Sequence, residues 1–257
     1  KEIAAGSQEV RISMLDIPAR TLDANTLFGL VGEQIGVDLA DGPVALANAN
    51  EALEPTVLVL NNAENLFLAD VGALDAWQAL LSLTNARAGN LFWMIVINNQ
   101  SWAYLCNVFG RDYQMRNVVR VKRWTQAEIR SLILSRNQQS GYRLRYDDVL
   151  MDTRAPANNS LRNAEQRHFS LLWDASRGVP VTALRLWQES VTTRRNEVTV
   201  RVPRIPSGSR IEKSGSNQSF ILAAIVIHGT LNTAEIMRVT NLSENVVRFS
   251  LKATLED

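Results

Sequence analysis

The chain has 257 residues, 46% of them apolar and 21% charged, which suits two or three compact units with proper cores. Its formal net charge of +1 excludes a global electrostatic case for nucleic acid, so any such contact has to come from a local patch. One cysteine, Cys106, and two isolated histidines, His168 and His228, exclude a disulfide framework, a Cys-based zinc site and a histidine metal cluster.

In chain order, Val10–Leu15 is a short β-branched run stopped by Pro18 and is predicted as a strand. A helix follows from a cap at Thr21, with Leu22, Leu27, Leu30, Val31 and Ile35 near i, i+3, i+4 spacing. Val57–Leu60 is a continuous apolar run of the buried-strand type. Residues 70–88 have helical spacing through Leu74, Trp77, Leu80 and Leu81, and Leu91–Ile97 is a second continuous apolar strand. This strand, helix, strand, helix, strand order predicts an α/β fold with a parallel sheet. Both apolar runs are far shorter than the roughly 20 residues of a membrane span. No basic-then-apolar leader opens the chain, so a soluble, cytoplasmic protein is expected.

After a short strand at Val118–Val121, Thr125 with Glu128 forms a capping box for a helix that Gly141 ends. Two more helices are predicted at 163–176 and 181–191, separated by Gly178 and Pro180. Residues 193–218, rich in Arg, Pro, Gly and Ser around an extended VTVRVPRIP, read as a linker. Three short helices from Ser219, with Gly229 and Asn241 in the turns, make a helix, helix-turn-helix pattern. The six tryptophans fall on apolar faces and are expected to pack, and His228 is expected to cap the end of its helix.

The segment VLVLNNAENLF at 57–67 carries the chemistry. At the tip of such a strand, carboxylates can hold a metal ion and orient an attacking water. Here the tip positions are Asn61 and Asn62, and the next strand ends in Asn98 and Asn99. VLVLNNAENLF resembles a Walker B strand, and LFWMIVINNQSWAYL resembles a sensor-1 strand with its following helix. RNVVRVKRWTQAEIRSLI resembles the strand and first lid helix of AAA+ ATPases, and SRGVPVTALRLW the start of the last lid helix in AAA+ and STAND ATPases.

The resemblance implies an incomplete P-loop NTPase core at 1–123, an α-helical lid at 124–192, the linker at 193–218 and a truncated winged-helix-like three-helix domain at 219–257. It implies ATP and Mg2+ as ligands, with Asn61 at the metal shell, Asn62 at the position of the catalytic base, Asn98 as the phosphate sensor and Arg116 (or Arg111) as an arginine finger. Arg177 is the sensor-2 candidate, with Arg185 two turns further on. The chain departs from the family in two ways. No G-x-x-x-x-G-K-[ST] is present, and Lys1–Ala5 resembles the end of the helix that follows such a loop, which places the loop upstream. Asn61 and Asn62 stand where Asp and Glu are usual; an amide can hold a metal-bound water but cannot act as a base, so slow or absent hydrolysis is expected. Glu64 is expected to cap the next helix.

In the last predicted helix Ser243, Asn245, Arg248 and Lys252 face Glu244, Glu256 and Asp257, a poor phosphate surface. Contact within the chain or with a protein therefore stands beside contact with DNA. Three functions are compatible: a nucleotide-dependent switch working through assembly as a homo-oligomer or through a protein partner, a DNA-bound AAA+ regulator, and a scaffold that has lost its site.

Overall fold

A computed structural model describes residues 10–110, 115, 117–146, 161–194, 197–204 and 215–256. They fall into two compact units, 1–118 with 213–257, and 119–212.

The first unit is α/β, with a parallel sheet as expected. Strands β1 (Arg11–Asp16), β2 (Thr56–Asn61) and β3 (Leu91–Ile95) lie side by side in that order. Helices α1 (Ala24–Ile35) and α2 (Pro43–Ala49) link β1 to β2, α3 (Asp75–Thr84) links β2 to β3, and α4 (Asn99–Phe109) follows β3. Leu58 and Leu60 point from β2 into a core with Leu27 and Val31 of α1, Trp77, Leu80 and Leu83 of α3, and Leu105 of α4, all fully buried. Helix α1 starts at Asp23, whose carboxylate accepts the Thr26 N–H at 2.8 Å, so the cap lies two residues beyond the expected Thr21. Thr21 is buried, and its hydroxyl donates to the Pro18 carbonyl. Helix α2, absent from the sequence reading, opens on Pro43 after Gly42 at φ 58°.

Strand β3 corrects the expectation of a wholly buried strand. Its inner residue Leu91 is buried, but Phe92 is 63% exposed and Met94 37%. Register explains this: Met14, Val59 and Met94 pair across the three strands, as do Ile12, Val57 and Phe92, and together they form the sheet face turned away from the core. Val118–Val121 forms no strand, and Val119 and Val121 are 90% and 91% exposed.

The C-terminal helices α8 (Ser216–His228), α9 (Thr233–Thr240) and α10 (Glu244–Glu256) belong to this first unit. They share a small core of Ile221, Ile236 and Val247. Asn232 and Glu235 form a capping box at the start of α9, and Asn241 takes the left-handed conformation after it.

The second unit holds α5 (Gln126–Ser140), β4 (Arg143–Arg145), α6 (Leu161–Ser176), α7 (Pro180–Ser190), β5 (Val191–Arg194) and β6 (Glu197–Val200). The Thr125–Glu128 capping box and the Gly141 stop are present as read. The expected linker needs correction: β5 and β6 form an antiparallel hairpin whose second strand pairs parallel to β4. Val198 and Val200 are buried with Ile129, Phe169, Leu172 and Ala183, so the hairpin is part of this unit's core. The turn into α7 brings Gly178 at φ 71° against the Trp124 backbone, and a β-carbon at 178 would strike the Trp124 carbonyl oxygen.

Candidate functional site

The C-terminal ends of β2 and β3 are neighbours. Leu60 pairs with Ile95, the Val96 N–H donates to the Leu60 carbonyl at 2.8 Å, and the Ala63 N–H donates to the Val96 carbonyl at 3.1 Å. The end of β1 is tied in as well: the Ile17 N–H donates to the Asn61 carbonyl at 3.0 Å, and the Asn65 amide donates to the Ile17 carbonyl at 2.9 Å. In parallel α/β sheets this edge, outside the carboxyl ends of the strands, is where ligands bind.

Asn61 is half-buried on the outer sheet face, directly beside Asp16, its partner in register on β1. The sequence reading missed Asp16, the carboxylate closest in register to the amide tip. The signal lay in the residue that ends the first strand. Asn62 is exposed and sits at φ 57°, in the left-handed region, where it turns the chain into a 3-10 turn at Ala63–Leu66. Asn tolerates that conformation better than other residues with a β-carbon, so residue 62 has a backbone explanation alongside any chemical one. Glu64 does not cap the next helix as expected. Its Oε2 accepts the backbone N–H of Asn98 at 3.3 Å and bridges the two strand ends.

Asn98 is half-buried and caps α4: its Oδ1 accepts the Gln100 N–H at 2.7 Å, while its Nδ2 donates to the Val226 carbonyl at 3.4 Å. Asn61, Asn62 and Asn98 thus share one edge. Arg177 lies in the second unit, exposed, at φ 52°. Arg185 in the same unit is exposed and paired with Glu189 at 3.1 Å. Arg111 and Arg116 lie outside the described residues. Among the described residues no group of three His, Cys, Asp or Glu side chains could hold a metal ion. The tip amides suit metal-bound water or a phosphate oxygen as hydrogen-bond partners, but they are neutral and have acidic neighbours in Asp16 and Glu64. The charge that balances a triphosphate would have to come from outside this group.

The C-terminal helices meet the same edge. Arg20, in the loop after β1 and itself at φ 63°, pairs with Glu235 at 2.7 Å and donates to the Thr230 carbonyl. Asp70, after β2, pairs with Arg238 at 2.8 Å. The Ser101 hydroxyl in the first turn of α4 donates to the Ile227 carbonyl. His228, expected as a helix cap, is buried instead. Its Nε2 accepts the Ala69 N–H at 3.2 Å, and its ring lies 5.2 Å from that of Phe67. Burial, reinforced by the nearby Arg20 guanidinium and opposed by Glu235, holds this imidazole down at about 4. Arg248 of α10 is paired with Glu244 at 2.7 Å.

No family model and no curated protein matches the chain. Among solved structures, the chain is similar to the ORC2 protein of Aeropyrum pernix, in its ADPNP and ADP complexes. Identity is 10%, coverage is 98% of this chain and 72% of that one, and the TM-score is 0.39. It is also similar to a RuvB mutant of Thermotoga maritima, with 11% identity, coverage of 95% and 79%, and a TM-score of 0.35. Similarity this loose leaves the fold and the site to be read from the chain's own residues.

Proposed function

We propose that the chain is the part of an AAA+- or STAND-like P-loop ATPase module that follows its phosphate-binding loop, and that it acts as a nucleotide-dependent switch. The observation that carries this reading is the adjacency, in parallel register, of two strands, one ending in Asn61 and the other followed by Asn98 three residues past its last residue. The outer sheet face supports it. Parallel sheets are normally covered on both faces, yet Met14, Phe92 and Met94 are exposed and β3 has no outer neighbour among the described residues. An upstream strand and helix carrying the phosphate loop would pair with that edge and cover that face.

In this reading Asn61 holds a water of the Mg2+ shell, Asn98 senses the terminal phosphate, and Asn62 cannot serve as a base. ATP therefore binds and turns over slowly or not at all, and the bound state is read out as a change in the lid, with Arg177, and in the C-terminal helices. Arg116 is the candidate contribution to a neighbouring subunit in a homo-oligomer, and a cytoplasmic setting suits the single cysteine. The pairing of Arg248 with Glu244 favours protein contact over DNA for the C-terminal helices.

The test is titration of a fluorescent ATP analogue into the full-length protein, with and without Mg2+, with turnover measured in parallel. Mg2+-dependent binding is expected, with turnover raised by the double change Asn61→Asp and Asn62→Glu. Absence of binding under both conditions defeats the reading and leaves the scaffold alternative. Salt-sensitive DNA binding that is lost on Arg248→Ala and Lys252→Ala establishes the DNA-regulator alternative.

A further inference from the structure

Between Arg20 and Arg87 the chain carries nine Asp and Glu residues and no Lys or Arg, so a net charge of +1 hides a strongly acidic stretch. That stretch supplies α1, α2, β2 and α3 of the first unit. Beside α1 lies a cleft of about 410 Å³, lined among others by Phe28, Gly29, Gly32, Glu33, Asp38 and Leu39. Two close approaches hold its shape. A β-carbon at Gly32 would strike the Val37 carbonyl oxygen, and one at Gly42 would press on the Phe28 ring. The segment after α1 is thereby folded back along the helix. Glu33 and Asp38 are exposed and form no ion pair among the described residues. Arg11, the first residue of β1, donates to the Gln34 carbonyl near the end of α1 at 3.5 Å. The helix therefore runs opposite to the strands, and the loop after it lies toward the other edge of the sheet from Asn61 and Asn98.

We infer that this cleft is a docking site for an arginine-bearing basic segment of a partner protein. Charge selects the class of partner: a face without a cation among its own residues attracts a basic segment and repels nucleic acid or an anionic membrane. The volume is at the small end of ligand pockets, which run from roughly 300 to 1,000 Å³, and it suits one long side chain with its flanking backbone. Shape and chemistry select arginine over lysine. A planar guanidinium stacks on an aromatic ring and bonds carboxylates through a rigid fork of donors, whereas an ammonium is a strongly hydrated point charge. Phe28 offers the ring, Gly29 and Gly32 leave the helix backbone bare beside it, and Leu39 takes the aliphatic stem. Asp38 Oδ1 accepts the Ala40 N–H at 3.0 Å, which fixes the carboxylate while Oδ2 stays available to accept from a guanidinium.

The test is fluorescence anisotropy of a dye-labelled peptide, Ala-Arg-Ala-Ala-Arg-Ala with blocked ends, titrated with the full-length protein at low salt. Gly29→Leu blocks the cleft without a clash, because a β-carbon there meets no atom within 4 Å, and replacing a mid-helix glycine should raise the urea midpoint. Glu33→Gln plus Asp38→Asn removes the charge and keeps the shape. Both variants should weaken peptide binding at least tenfold. The control is Glu51→Gln plus Glu54→Gln, exposed acids of the same stretch outside the cleft lining, which should change it less than twofold. A lysine version of the peptide should bind several-fold more weakly. No binding to wild type, or an equal loss in the control variant, overturns the site, the second because it shows only diffuse attraction between charges. Equal binding of the lysine peptide overturns the assignment to arginine. The rest of the chain is basic, so a second copy is the competing occupant. Sedimentation velocity decides this: wild type that associates at low salt while Gly29→Leu stays monomeric gives the cleft to a second copy and overturns the partner reading.

Discussion

Both histidines of the chain are buried, one in each unit, and acid should weaken the protein through them before its carboxylates titrate. His168 lies in an aromatic cluster with Tyr146, Phe169 and Trp187, ring centroids 5.4–6.0 Å away. Burial holds its imidazole down at about 4, against a smaller opposing effect of the Arg201 backbone, and His228 is held at about the same value. The unfolded chain takes up a proton near pH 6.5 that the folded chain refuses until about pH 4. Stability is therefore intact above pH 6.5 and falls as pH drops through that window. Between pH 7 and pH 5 the loss is about 2 kcal/mol for each histidine, from the difference between the two protonation curves. Urea unfolding of wild type, His168→Phe and His228→Gln at the two pH values checks this, and each variant should lose about half of the wild-type decline. Proton NMR of the imidazoles gives a second reading, with no titration expected above pH 5. A midpoint near 6.5 for either ring, or a decline unchanged in both variants, refutes the argument.

Glycine positions in the second unit separate strain from collision. Gly141→Ala, at φ 72° with open space around it, should cost about 1 kcal/mol, whereas Gly178→Ala adds a collision with the Trp124 carbonyl and should cost at least about 2 kcal/mol more, both read from urea midpoints. Asn62→Gly should be neutral to within about 0.5 kcal/mol, while Asn62→Glu should cost about 1 kcal/mol from the left-handed backbone alone. Differential scanning calorimetry checks this pair, and equal melting temperatures for the two variants would remove the backbone explanation of residue 62.

The strands and their shared tip were legible because unbroken apolar runs ending in amides are rare signals that survive without tertiary context. What those runs could not give is the face each residue takes: in LFWMI all five residues are apolar, and only pairing with β2 separates Leu91, inside, from Phe92, outside. Val118–Val121 has strand composition but no partner strand among the described residues, and composition without a ladder does not make a strand. The β5–β6 hairpin was hidden by its arginines and by the prolines beyond it, although EVTV has the alternation of a half-buried strand. The docking of the C-terminal helices was beyond reach for a different reason. Arg20 and Glu235 are 215 residues apart in the chain, and no local pattern marks either as a partner.

Asn61, unlike Asn62, has ordinary strand geometry, so its amide calls for an explanation outside the backbone. Its neighbour in register is Asp16, and aligned like charges on adjacent strands destabilise a sheet by about 0.2–1 kcal/mol. Asn61→Asp should therefore lower stability by an amount within that range when no divalent cation is present. Asp16 is exposed, and solvent screening keeps the effect toward the lower end. If the tip can hold Mg2+, millimolar Mg2+ should reverse the loss in Asn61→Asp and leave wild type unmoved, because a cation between two carboxylates turns their repulsion into attraction for the metal. Urea unfolding of both proteins, with Mg2+ and with a chelator, measures this without any nucleotide. A loss that Mg2+ leaves untouched would mean that the two tips are not arranged as a metal shell. The amide at 61 would then reflect avoidance of Asp16 rather than a site that once carried charge.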